Sequence, residues 1–137
     1  MACALHCYYD LKKGTDMAKR ILIVDDNELM IEVMTYILLG KGYQVASSTR
    51  VQEIFKIIKA CHPDLVILDI VNAGMDGREL CRLIKLNSAT KNLRVIVCSE
   101  SEETDAIIPQ KGGPDDVLHK PFGMNSLIRK VELQLAA

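Results

Sequence analysis

The apolar positions of the chain fall into two kinds of pattern. Four short stretches are continuous: Ile21-Leu22-Ile23-Val24, Leu65-Val66-Ile67-Leu68, Val95-Ile96-Val97-Cys98 and Val117-Leu118. Runs of this length, rich in β-branched residues and bounded by turn signals, predict strands buried on both faces. A further short strand is predicted around Gln44-Val45-Ala46. Between them the apolar residues recur at helical spacing. Leu29, Met30, Val33, Met34, Ile37 and Leu38 predict a first helix, with Asn27 as its cap and Gly40 and Gly42 at its end. Val51, Ile54, Phe55, Ile57 and Ile58 predict a second, opened by a Thr49/Gln52 capping box and closed at Pro63. Leu80, Leu83 and Ile84 mark a third behind an Asp76/Glu79 cap pair. Glu100 to Lys111 is the weakest helical stretch, since Pro109 interrupts it. Leu127, Ile128, Val131 and Leu135 define the last helix, with Asn125 as its cap.

Strand and helix therefore alternate five times. Such alternation predicts an α/β fold: a doubly wound, five-stranded parallel sheet of flavodoxin-like (βα)5 form with strand order 2-1-3-4-5. Residues 18–137 are expected to form that single domain. Residues 1–17 have no clean period, and read as a flexible N-terminal extension.

Composition narrows the class. The chain has 137 residues, 49% of them hydrophobic and 26% charged, enough for one soluble domain with a full core. A net charge of −1 gives no basic footprint for nucleic acid or for an anionic membrane surface. No apolar run approaches the roughly 20 residues of a membrane span, and no apolar signal segment opens the chain. Of the five cysteines, Cys61, Cys81 and Cys98 fall within elements and are expected in the core, in a reducing cytoplasm. Cys3, His6 and Cys7 lack a fourth partner for a metal and read as tail residues.

The candidate chemistry lies at the strand ends. Placing the first and third strands side by side brings together Asp25, Asp26 and Asp69, while the fourth strand adds Ser99 and the fifth Lys120. Three carboxylates in one crevice repel unless a cation offsets them or their pKa values rise. A hard divalent ion such as Mg²⁺ suits oxygen ligands of this kind. An ion held between Asp26 and Asp69 would attract a phosphoryl group, with Lys120 and Ser99 taking other phosphoryl oxygens and Asp69 acting as the nucleophile. Each residue alone is an ordinary turn acid, cap or surface base; the set, each member at the end of the correct strand, is what points to a function.

At these residues the chain resembles the receiver domain of two-component response regulators. The matching stretches are Ile21–Asn27, Pro63–Asp69, Gly74–Gly77, Val95–Ser99 and Asp115–Phe122, within about residues 18–137. The resemblance implies phosphoryl transfer to Asp69 from a sensor histidine kinase or a phosphotransfer protein. It implies Mg²⁺ on Asp25, Asp26, Asp69 and the backbone carbonyl of Val71, a cis Lys120–Pro121 bond, and a switch through Ser99 and position 117. Departures from the family pattern are Ala73 for a usual proline, Glu100 for a usual small residue, and Val117 for a usual aromatic. Pro109 and Pro114 also fall in the segment before the fifth strand.

The expected function is that of a single-domain receiver whose phosphorylation switches a protein-interaction surface. The alternative is a degenerate receiver acting as a phosphorylation-independent binding module. An aspartate-nucleophile phosphatase would need a second acid close after Asp69, where Ile70 and Val71 stand, so the chain is not expected to be an enzyme in that sense. Further expectations are an unspecified downstream protein, a possible homodimer, a cytoplasmic location, no membrane insertion and, with the chain ending at Ala137, no direct contact with nucleic acid.

Overall fold

The computed structural model describes residues 5–8, 18–69, 77–100, 106 and 108–136. The strands are β1 (Leu5–Tyr8), β2 (Arg20–Val24), β3 (Gln44–Ser48), β4 (Leu65–Asp69), β5 (Arg94–Ser99) and β6 (Asp116–His119). The helices are α1 (Glu28–Gly40), α2 (Ile54–Cys61), α3 (Gly77–Leu86) and α4 (Met124–Ala136), and a 3₁₀ turn at Val51–Glu53 leads into α2. The sheet order is β1-β3-β2-β4-β5-β6. Within it, β2 to β6 form the expected five-stranded parallel array, in which the first strand lies between the second and the third.

The unexpected strand is β1, in the segment whose sequence carries no clean period. It runs antiparallel along the outer edge of β3, with Leu5 opposite Ser48 and Tyr8 opposite Val45. Four residues are too few to show a period, which is why the pattern of apolar positions gave no sign of it.

The continuous apolar runs are buried because both sheet faces are covered. On one face Leu22, Val24, Val66, Leu68, Val95 and Val97 pack against Ile54, Ile57 and Ile58 of α2 and Leu80, Cys81 and Ile84 of α3. On the other, Ile21, Ile23, Leu65, Ile67, Ile96 and Leu118 pack against Ile31, Met34 and Leu38 of α1 and Leu127 and Val131 of α4. The three core cysteines are buried thiols, and burial pushes those of Cys81 and Cys98 up to about 12, so both stay protonated.

Several local expectations are corrected. On α1 the buried residues are Ile31, Met34, Thr35 and Leu38, whereas Leu29 is 69% and Val33 47% exposed. The apolar stripe of that helix is wider than the sheet can cover, so part of it faces outward. On α3, Cys81 is buried in place of Leu83, and on α2, Phe55 reaches the surface. The 3₁₀ turn before α2 has no side-chain cap; Ser48 Oγ, not Thr49, accepts from the nearby Arg50 N–H at 3.0 Å. Asn125 lies inside α4, which opens at Met124. Of the expected helical stretch from Glu100 to Lys111, residues 101–105 and 107 lie outside the described residues, and the others form bends and turns with a 3₁₀ position at Ala106. Pro109 and the Gly112-Gly113 pair suit the turns at 108–112. Asp76 of the cap pair lies outside the described residues.

Candidate phosphoryl-transfer site

The acids are placed by backbone contacts at the carboxyl ends of β2 and β4. Asp25 N–H donates to the Ser48 carbonyl at 3.2 Å, which ties the end of β2 to β3. The Asp25 carboxylate accepts from Asn27 N–H at 2.8 Å. Asn27 in turn caps α1, its Oδ1 accepting from Met30 N–H at 3.2 Å. The acidic turn and the start of the helix are thus one hydrogen-bonded unit. At the opposite end of the sheet, Arg20 N–H donates to Asp64 Oδ2 at 2.9 Å and Asp64 N–H to the Arg20 carbonyl at 2.7 Å, which fixes β2 against the entry of β4.

Lys120 reaches the site because β6 is anchored from its first residues. Asp115 accepts from Lys85 Nζ at 2.9 Å and from Val95 N–H at 2.8 Å, and Asp116 accepts from Lys130 Nζ at 3.0 Å. At the far end Lys120 N–H donates to the Ser99 carbonyl at 2.8 Å, and the Lys120–Pro121 peptide is cis, as the resemblance implied. The Lys120 ammonium then lies 2.9 Å from Asp69 Oδ2.

One oxygen each from Asp25, Asp26 and Asp69 lies within 4.8 Å of the others. Asp25 and Asp69 are buried, and Asp26 is exposed. Burial pushes the Asp25 carboxyl up to about 6, the hydrogen bond from Asn27 pulls it down, and the neighbouring Asp69 raises it again. Burial lowers the Lys120 ammonium, but the hydrogen bond and charge of Asp69 outweigh this and hold it above the ordinary lysine value. Among the described residues, the three carboxylates therefore outnumber the Lys120 ammonium that contacts them. The donors of the site are all carboxylate oxygens, with one acid open to solvent. That set fits a hard divalent cation such as Mg²⁺, which keeps several waters.

Ser99 ends β5, almost fully buried, with His119 as its register partner on β6. Val117 is buried, paired with Val97. Val71 and Ala73 lie outside the described residues. Sequence reading missed the apolar surface beside the site, where Leu29, Met30 and Val33 of α1 face Phe122 and Met124 across a groove of about 760 Å³. Its signal was the excess width of the α1 stripe.

A doubly wound sheet with an acid cluster and a lysine at its carboxyl edge defines an α/β module of flavodoxin-like form. The chain belongs to the response regulator receiver domain family, whose model matches residues 21–132. It is 30% identical over 119 residues to the DNA-binding response regulator MtrA of Mycolicibacterium paratuberculosis, covering 87% of this chain and 52% of that protein. It spans about half the length of that and similar curated relatives, such as the alkaline phosphatase synthesis transcriptional regulatory protein PhoP of Bacillus subtilis (29% identical, 85% of this chain, 48% of that one). Among solved structures it is similar to a response regulator of Chloroflexus aurantiacus, at TM-score 0.79 and 30% identity over 88% of this chain and 99% of that one. It is also similar to the signal receiver domain of a signal transduction histidine kinase from Syntrophus aciditrophicus, at TM-score 0.78 and 31% identity over 87% and 91% of the two chains. No helix among the described residues is long and apolar enough to cross a membrane.

Proposed function

We propose that Asp69 accepts a phosphoryl group from a phosphohistidine, on a sensor kinase or a phosphotransfer protein, and that the modified site switches a protein-binding surface. The observation that carries this reading is the 2.9 Å contact of Lys120 Nζ with Asp69 Oδ2 inside the three-carboxylate cluster. Asp69 is a buried acid in direct contact with the Lys120 ammonium, so its carboxylate oxygen is the nucleophile. Lys120 offsets charge on the incoming phosphoryl oxygens, and the Ser99 hydroxyl donates to one of them. Asp25, Asp26 and Asp69, with the Val71 carbonyl, would hold Mg²⁺, which neutralises further phosphoryl charge when bound. In this role the chain is a phosphoacceptor that assists its own modification. Incubation with an acyl phosphate and Mg²⁺ should add one hydroxylamine-labile phosphate, read by intact-protein mass spectrometry. Equal labelling of Asp69→Asn would sink the reading.

The second reading is a phosphorylation-independent binding module. Val117 favours it: the side chain is buried and apolar, with no ring or hydroxyl to follow Ser99. An amide spectrum unchanged by beryllofluoride and Mg²⁺ would select this reading over the first.

A further inference from the structure

Strand β3 is the outermost of the five parallel strands, and β1 turns it from a sheet edge into an interior strand. That matters for the acids because the carboxyl end of β3 holds the turn that carries two of them. The Ser48 carbonyl accepts from Asp25 N–H at 3.2 Å, and Asp26 is the next residue. This distance is at the long end of the range for an N–H···O bond, so a small outward shift of β3 breaks it. Ser48 is fully buried, and its Oγ accepts from Arg50 N–H at 3.0 Å. The last residue of β3 is thus tied to the turns that follow both β2 and β3.

The register identifies which residues of β1 hold β3. Gln44 N–H donates to the Lys19 carbonyl, and the Ser48 carbonyl accepts from Asp25, so both residues turn backbone groups inward, toward β2. Along a strand the backbone groups of successive residues face opposite edges. Val45 and Ser47 therefore turn theirs outward, to their partners Tyr8 and His6. The N–H groups of His6 and Tyr8 point at β3, and that of Cys7 points to the outer edge.

We propose that β1 is a positioning element for the divalent-cation site. By pairing with β3 it keeps the Ser48 carbonyl on Asp25 N–H, and so raises the affinity of Asp25, Asp26 and Asp69 for Mg²⁺. This rests on the reading of those acids as a metal site. The coupling runs through backbone alone: from His6 to Ser47, along one peptide to Ser48, and across to Asp25.

The test uses the full chain with three single substitutions. His6→Pro and Tyr8→Pro each remove an N–H aimed at β3, whereas Cys7→Pro removes one on the outer edge, where proline is tolerated. Proteins labelled with ¹⁵N are titrated with MgCl₂, following the amide shifts of Asp25, Asp26 and Asn27. Amide exchange at Asp25 and at Ile67 of β4 is measured in EDTA. His6→Pro should weaken Mg²⁺ binding roughly three- to tenfold and speed Asp25 exchange, and Tyr8→Pro should do the same to a smaller extent. Ile67 exchange should stay at the parent rate, and Cys7→Pro should match the parent throughout. Unchanged Mg²⁺ affinity in His6→Pro and Tyr8→Pro, with Asp25 and Ile67 exchange rising together, would mean that β1 only stabilises the sheet, and overturns the proposal. Equal weakening by His6→Pro and Cys7→Pro overturns it as well. A parent that binds no Mg²⁺ overturns the metal-site reading and this inference with it.

Discussion

The Lys120 ammonium and the Asp69 carboxylate form a 2.9 Å ion pair in which the side chains are only 17% and 6% exposed. Asp69 lies within 4.8 Å of two more carboxylates, so the ammonium offsets several acids at once. Removing a buried charge leaves its partner uncompensated, which costs more than the pair contributes when intact.

Lys120→Met should therefore lower the free energy of unfolding by roughly 1–3 kcal/mol. Adding Asp69→Asn should recover part of that loss. Urea unfolding of both single variants and the double variant gives the coupling energy. Additive effects would show that the pair contributes no stability.

Asp25 predicts a pH dependence. Its carboxyl is raised from 3.8 to about 6 by burial and by Asp69. A group with a raised pKa binds more protons folded than unfolded, so stability falls as the pH rises through that window. In EDTA, the urea midpoint should decline between the ordinary carboxylate value of 3.8 and about 6, on top of the contributions of other groups. Asp25→Asn should flatten this slope. Millimolar Mg²⁺ should restore stability at neutral pH by binding the folded state alone. Equal slopes in the parent and Asp25→Asn would contradict the assignment.

The two faces of α1 predict unequal mutational costs. Met34→Ala or Leu38→Ala removes a side chain that is 1% or 0% exposed, and should cost about 2–5 kcal/mol. Val33→Ser, at 47% exposure, should change stability by less than about 0.5 kcal/mol. Denaturant titrations of the three variants check this, and a Val33→Ser loss as large as that of Leu38→Ala would mean the outward face is packed in solution.

What could be read from the sequence was the part that burial writes in apolar runs. Strands β2, β4 and β5 are covered on both faces, so each is a continuous block whose last residue marks the sheet edge. Asp25, Asp69 and Ser99 were placed by that logic alone. Helix faces were less legible. Every apolar residue of α1 fits some helical stripe, and only the width of the sheet decides that Met34 is inside while Val33 is out. Caps were legible where a single side chain faced a clear helix start, as at Asn27. They were misread at Asn125, where Gly123 allows the helix to begin a residue earlier. The His119 register beside Ser99 was hidden as well, because strand pairing follows from the whole sheet and not from either strand.

The antiparallel pairing of β1 with β3 changes where the molecule is open to other chains. A sheet edge with unsatisfied peptide groups is a template for strand addition. Leu5–Tyr8 occupies that template on β3 and moves the open edge outward by one short strand. A shortened chain beginning at Met17 would bare the outer peptide groups of Gln44–Ser48. At the end of that strand the Ser48 carbonyl, turned inward to β2, holds the Asp25 N–H. Self-association of the shortened chain would then begin one strand away from the acids.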